Sequence, residues 1–204
     1  MAYAPGSDPT NPAPPHELKI IIAGGFGAGK STLVAALSEI EPLSTEELLT
    51  VAGTGTDDLY GVRGKTTTTV ALDFGRITFT DPLPMILFLF GAPGQERFWF
   101  LWSELGYGAL GAVVLVDTRR LEDSFTAVSW YEQQGLPFVV AVNEFAGSAH
   151  RYTSDEVRQA LGLAAHIPVV TCDARDHTSA VHVLISLVGH SLAVRRATTS
   201  GALV

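Results

Sequence analysis

The octapeptide Gly24-Gly25-Phe26-Gly27-Ala28-Gly29-Lys30-Ser31 fits the phosphate-binding loop spacing G-x-x-x-x-G-K-[ST] at every position. It follows an apolar run, Leu18-Lys19-Ile20-Ile21-Ile22-Ala23, that reads as a buried strand, and it leads into Thr32-Leu33-Val34-Ala35-Ala36-Leu37, which reads as a helix. A strand, loop and helix in that order constrain the fold more than any other part of the chain. Glycines let backbone N–H groups turn inward around phosphate oxygens, and the start of the helix adds unpaired donors and a positive dipole end. In such a loop Lys30 lies against the β- and γ-phosphates, and Ser31 offers its hydroxyl to the Mg²⁺ that bridges them. The motif therefore implies a nucleoside triphosphate site running from Gly24 to Thr32, with Mg²⁺ as its metal.

The rest of the chain sets bounds on that site. A length of 204 residues with 47% hydrophobic content predicts one domain with a full core. Five of the eleven prolines fall in residues 1–15, so residues 1–16 read as a disordered Pro-rich tail. The folded unit is expected over residues 17–194, with a flexible tail over 195–204. A net charge of -8 argues against nucleic-acid binding, which draws its affinity from Lys and Arg. The single cysteine, Cys172, forms no internal disulfide, which agrees with a reducing compartment. No run of ~18 consecutive apolar residues stands in the sequence, and residues 1–15 lack the features of a signal peptide. These readings predict a cytoplasmic protein without direct membrane insertion, recruited to a membrane only through partners.

Residues 42–64 are polar and Gly-rich and read as a long functional loop joining the phosphate loop to a strand. Such a segment can reach a γ-phosphate and act as a switch. Val70, Leu72 and Phe74 alternate, as do Ile77 and Phe79. A turn at Asp81-Pro82-Leu83-Pro84 then closes a hairpin with Met85-Ile86-Leu87-Phe88-Leu89-Phe90. Ala112-Val113-Val114-Leu115-Val116 is the next buried strand. Helix, strand, helix, strand and helix follow at about residues 121–134, 137–142, from a capping box at Thr153-x-x-Glu156, 167–171 and 178–194. The pattern predicts an α/β fold with a mixed, mostly parallel six-stranded sheet and helices on both faces. Ligands of such sheets bind at the carboxyl ends of the strands, where the phosphate loop, Gly94-Gln95, Asn143 and Cys172 all fall.

From residue 18 to about 192 the order of motifs resembles the Ras-like small GTPases. The likeness is strongest to the actinobacterial conservon GTP-binding proteins, relatives of the bacterial gliding-motility switch GTPase. It is carried by Gly25 to Ser31, Thr66-Thr67-Thr68-Thr69-Val70-Ala71-Leu72-Asp73-Phe74-Gly75, Gly91-Ala92-Pro93-Gly94-Gln95-Glu96-Arg97-Phe98 and Val114-Leu115-Val116-Asp117-Thr118-Arg119-Arg120. The resemblance implies a slow GTPase switch that binds GTP or GDP with Mg²⁺ and works with a roadblock-type regulatory protein beside a sensor histidine kinase complex at the membrane. It makes Thr69 a ligand of Mg²⁺ and the γ-phosphate, has Gly94 donate its N–H to the same phosphate, and has Gln95 orient the attacking water. From the residues alone, Thr69 is one of four threonines in a β-favouring run, with a solvent-facing strand position as the alternative.

The chain also departs from the pattern. Gly91 stands where the family carries an acid that holds Mg²⁺ through water, and Asp73 or Asp117 is a substitute by position only; Asp117 equally fits a helix cap. The guanine motif Asn-Lys-x-Asp appears as Asn143-Glu144-Phe145-Ala146, without the carboxylate that reads the guanine N1 and N2 donors. Cys172-Asp173-Ala174-Arg175 takes the place of the Ser-Ala-Lys loop, where the Ala174 N–H would read the base carbonyl. These departures leave open a nucleotide-gated scaffold with little hydrolysis or altered base preference. Phe26 either obstructs an incoming arginine or packs outward. Phe98, Leu101, Trp102 and Leu105 share a helical face that reads as core, while Trp99 and Phe100 read as partner surface. The six histidines form no metal constellation.

Overall fold

The computed structural model describes residues 14–50, 67–94, 98–145 and 151–201. One sheet of seven strands organises it, in the order β2-β3-β4-β1-β5-β6-β7. The strands are β1 (His16–Gly24), β2 (Leu43–Thr50), β3 (Thr67–Phe79), β4 (Met85–Gly91), β5 (Gly111–Val116), β6 (Phe138–Asn143) and β7 (Val169–Cys172). Strands β4, β1, β5, β6 and β7 run parallel, whereas β3 is antiparallel to both β4 and β2. The helices are α1 (Lys30–Leu37), α2 (Trp99–Gly106), α3 (Phe125–Gln134), α4 (Ser154–Leu161) and α5 (His177–Gly201). This is the mixed α/β phosphate-loop fold.

The side-chain alternation of a strand divides the core into two layers. Ile20 and Ile22 of β1, Val113 and Leu115 of β5, and Val139 and Ala141 of β6 pack against Leu33 and Val34 of α1 and Val183 and Leu187 of α5. Their neighbours Ile21, Ala23, Val114, Val116, Val140 and Val142 face Trp102, Val128, Tyr131 and Val157 on the other side. Burial on both faces is what made these strands read as unbroken apolar runs.

Three expectations change. The sheet has a seventh strand, β2, inside the segment read as a loop; it forms because β3 offers an open edge, with Leu43 opposite Phe74 and Thr50 opposite Thr67. Residues 51–66, the rest of that segment, lie outside the described residues. The helix expected from residue 121 begins as a 3₁₀ turn at Thr118–Ser124, interrupted at Arg120 (φ -145°, ψ 59°), and α3 proper starts at Phe125. The Asp117 side chain accepts from the Arg119 N–H at 3.0 Å and starts this turn. Finally, α5 continues through the expected tail to Gly201. Thr198 and Thr199 hydroxyls return to the carbonyls of Val194 and Arg195 there, so helical turns continue past residue 194.

The capping box forms as read. Glu156 N–H donates to Thr153 Oγ1 at 3.3 Å, and Thr153 N–H donates to Glu156 Oε2 at 2.7 Å. Phe98 and Trp102 are buried, and Phe100 is exposed; the Trp99 side chain lies outside the description. Residues 177–199 of α5 are long and apolar enough to cross a membrane by length and composition alone (mean hydropathy 1.3). Its Ala180, Val183 and Leu187 are fully buried against the sheet, while Ile185 and Leu192 remain exposed.

Candidate functional site

The phosphate loop sits at the carboxyl end of β1 and opens into α1. Gly29 caps the helix in the left-handed region at φ 105°, and a Cβ there would stand 2.5 Å from Asn143 Nδ2. Only glycine meets both conditions without strain. Lys30 and Ser31 open the helix, and with Phe26, Gly27, Gly29, Thr32, Asp73 and Gly94 they line a cavity of about 340 Å³. The Lys30 ammonium donates to the carbonyls of Gly24 (3.1 Å) and Gly25 (2.7 Å). Burial lowers its pKa to about 8, against the opposing pull of the Asp73 charge. An ammonium so desolvated gains from an anion.

Gly94 covers the loop from the β4 side. A Cβ at residue 94 would lie 2.7 Å from the Gly24 carbonyl oxygen and 3.0 Å from Lys30 Nζ, so this approach needs glycine. Trp102 fixes the preceding residue from α2, its buried indole N–H donating to the Pro93 carbonyl at 2.9 Å. Gln95 is outside the described residues.

Asp73, on β3 directly opposite Gly91 of β4, accepts from the Ser31 hydroxyl at 2.6 Å. A serine hydroxyl and a carboxylate are hard oxygen donors, the kind that Mg²⁺ takes, so this pair fits that ion. Thr69 pairs with Leu48 in the β2–β3 ladder, four residues along β3 from Asp73. At ~3.3 Å per residue that is ~13 Å along the strand, and the Thr69 side chain is not described. No group of three or more His, Cys, Asp or Glu side chains suited to a metal occurs among the described residues.

The base-side residues converge through Asn143, which is buried at the end of β6. Its amide Nδ2 donates to the Ala28 carbonyl and its Oδ1 accepts from the Ala174 N–H, both at 3.0 Å. The clamp joins the phosphate loop to the turn after β7. The Ala174 N–H expected to read a base carbonyl is thus engaged by Asn143. Asp173 and Arg175 form a bidentate pair (2.7 and 2.8 Å) that holds the exposed Asp173 carboxyl down at about 2. Glu144 donates its N–H to the Cys172 carbonyl at 2.7 Å, and its carboxylate stands 3.5 Å from Arg151. The Cys172 side chain points into the core, where burial and the charges of Asp173 and Glu144 push its thiol up to about 12. It is therefore a neutral packing group.

Three residues from the loop after β5 join the site; the stretch that holds them carries the resemblance, but no role for Arg119 or Arg120 is read from it. Buried Asp117 takes a bidentate pair from Arg119 (2.8 and 2.7 Å), and the Arg119 guanidinium lies 3.7 Å over the Phe145 ring. Arg120 donates to the Phe26 carbonyl and pairs with Asp123 at 2.9 Å, along the outer edge of the phosphate loop. Phe26 itself is 69% exposed, with its ring turned to solvent.

A family model described as "Conserved hypothetical ATP binding protein" matches residues 22–194, from the end of β1 into α5. The chain belongs to this family. Nucleotide binding is thereby its coarse activity, in agreement with the loop, the buried ammonium and the cavity. Among solved structures, this family member is similar to the G domain of the T. maritima FeoB iron transporter, at 16% identity and a TM-score of 0.57, over 86% of this chain and 99% of that one. The likeness is one of fold. No curated protein matches the chain in sequence.

Proposed function

We propose that the chain is a small GTP-binding switch of the cytoplasm. It takes GTP or GDP with Mg²⁺, hydrolyses GTP slowly, and passes the state of residues 42–64 and of the segment after Gln95 to partners. Those partners are a roadblock-type regulator and, at the membrane, a sensor histidine kinase complex. The observation that carries this reading is the Asn143 clamp, which holds the phosphate loop and the turn after β7 in one unit through two 3.0 Å bonds. A nucleotide lying across that unit has its phosphates at Lys30 and its base beside Asp173.

Guanine is preferred over adenine on charge. Ala146 stands where the Ras-like proteins carry the acid that reads guanine's two donors, and Asp173 is the carboxylate proposed to accept from them, exchanging its present partner Arg175 for the base. The family's description names ATP, so the choice of base is the first thing to measure. Identifying the nucleotide released when freshly purified protein is denatured, with calorimetry against GTP, GDP and ATP, tests it. ATP bound as tightly as GTP, or tighter, overturns the guanine assignment.

A nucleotide-gated scaffold with little hydrolysis is favoured by one observation, the glycine at position 91 in place of an acid. Single-turnover hydrolysis of GTP separates that reading from the switch.

A further inference from the structure

We infer that Asp73 supplies, from β3, the metal-side carboxylate that is missing from the end of β4. The inference rests on the Mg²⁺–nucleotide reading of the site. In phosphate-loop enzymes the loop's Ser or Thr hydroxyl and a strand-borne Asp hold the ion together. What the chemistry needs is a carboxylate at the right point in space, and the strand that carries it is immaterial.

Asp73 meets that requirement by three independent measures. It stands opposite Gly91 in the antiparallel β3–β4 register, one strand away from the usual place. A Cβ built on Gly91 would lie 2.9 Å from both Cβ and Oδ2 of Asp73, so the side chain of residue 73 fills the volume that a side chain at 91 would take. The two positions share one space, and only one can hold an acid. Third, the Ser31 hydroxyl donates to Asp73 Oδ2 at 2.6 Å, the length of a charge-assisted O–H···O⁻ bond, so the carboxylate already rests on the loop's metal-binding hydroxyl. Asp73 also lines the same cavity as Lys30, Ser31 and Gly94, and its charge raises the Lys30 pKa against burial. Asp117, the other acid in reach by sequence, is taken by the bidentate pair with Arg119.

A merely structural role for Asp73, as acceptor for Ser31, is the competing account. Asp73→Asn keeps an acceptor oxygen and removes the charge, so it separates the two. The experiment follows release of a fluorescently labelled GDP from the full chain across a MgCl₂ titration and in EDTA, with thermal unfolding of the nucleotide-free protein alongside. In the wild type Mg²⁺ slows release. Asp73→Asn is expected to raise the Mg²⁺ midpoint ~10-fold or more; release in EDTA, measured on the same variant, gives the Mg²⁺-independent effect of losing the charge beside Lys30, against which the midpoint is read, and the unfolding temperature reports whether the variant is folded. Gly91→Asp alone is expected to lower the unfolding temperature through its collision with Asp73. Combined with Asp73→Gly, which empties the shared space, it should bring the midpoint back to within a few-fold of wild type. An unchanged midpoint in Asp73→Asn overturns the assignment while leaving the nucleotide reading intact. Release that is indifferent to Mg²⁺ in the wild type overturns the reading beneath it, and the assignment with it. Should Asp73→Asn fail to fold, the double variant decides: a folded double variant with a wild-type midpoint upholds the exchange, and one with no Mg²⁺ response overturns it.

Discussion

Asn143 donates its side-chain amide to the Ala28 carbonyl at 3.0 Å, across 115 residues of sequence. With the return bond from the Ala174 N–H, one buried side chain sets the distance between the phosphate loop and the turn after β7. Asn143→Ala leaves both backbone groups unpaired in a buried place, at ~1–3 kcal/mol each. A loss of about 2–6 kcal/mol in unfolding free energy is therefore expected, with nucleotide affinity falling as well. Asn143→Asp keeps the acceptor for Ala174 but sets a buried carboxylate oxygen against the Ala28 carbonyl, so its cost should be at least that of the alanine variant. Gly29→Ala should mimic the affinity loss, because its Cβ enters the space of Asn143 Nδ2. Urea titrations and calorimetry of the three variants check this; an Asn143→Ala protein of wild-type stability would show that the clamp carries no weight.

How much of this was legible beforehand follows the range of each interaction. The phosphate loop is local, so its spacing alone located Lys30 and Ser31 at the start of α1. The two-faced burial of β1 and β5 was equally plain, since Ile20 and Ile21 report both layers within two residues. Asp73 could be weighed only as one of two acids, because its match to Gly91 is a cross-strand register that no local pattern encodes. Arg120 and Phe26 lie 94 residues apart and carry no shared motif. Strand β2 hid behind the polar Ser44-Thr45-Glu46-Glu47, which interrupts alternation; its pairing is a property of the β3 edge. Read from sequence alone the Ala174 N–H goes to a base, because a backbone donor's partner is invisible until the fold brings Asn143 beside it.

Lys30 makes stability depend on pH in a specific direction. Its native pKa of about 8 lies below the ordinary 10.5 because burial disfavours the ammonium. Between about pH 8 and 10.5 the unfolded chain holds the proton and the native chain does not, so unfolding free energy of the nucleotide-free protein rises with pH. Below about pH 8 both forms are protonated and the full penalty is present, on the order of 1–3 kcal/mol. Above pH 10.5 both are neutral and this slope vanishes. Lys30→Met should be more stable than wild type at pH 7 without nucleotide and should lack the slope. Tripolyphosphate should flatten it in the wild type by favouring the ammonium. Denaturation midpoints at several pH values measure both; a slope that survives Lys30→Met belongs to other groups.

Arg119 separates the base end of the site from the phosphate end. Its guanidinium is held by Asp117 and lies over the Phe145 ring, so it positions the segment that follows Asn143. An exposed cation–π contact is worth ~0.5–1 kcal/mol. Arg119→Ala should weaken GDP binding by ~2–5-fold and leave tripolyphosphate binding unchanged, since no phosphate-loop group loses a partner. Arg119→Lys should behave like the alanine variant, because an ammonium cannot pair in bidentate fashion and lie flat on the ring at once. Parallel calorimetry with the two ligands tests the separation. Equal losses for both would place the effect on the loop instead.

The rate of hydrolysis depends on what can approach the γ-phosphate. Phe26 presents an exposed ring at the mouth of the loop, and the Arg120 guanidinium already lies on the carbonyl of the same residue. An arginine offered by a partner would meet an aromatic ring and a like charge together. Acceleration through Gln95, the residue proposed to orient the attacking water, avoids both obstacles. The chain alone should therefore hydrolyse GTP slowly, and the proposed roadblock regulator should act on Gln95. Single-turnover hydrolysis with and without that regulator is the measurement, on wild type, Gln95→Ala, Phe26→Gly, Arg120→Ala and Arg63→Ala, the last because Arg63 is the arginine nearest upstream of Thr69 in the sequence. Gln95→Ala is expected to lose ~10²-fold or more of the accelerated rate, a typical return for positioning a proton-transfer partner. Phe26→Gly and Arg120→Ala should change it by no more than a few-fold. An accelerated rate that survives Gln95→Ala removes the glutamine from the mechanism. A rate abolished by Arg63→Ala alone places the catalytic arginine within residues 51–66 and makes Phe26 no barrier.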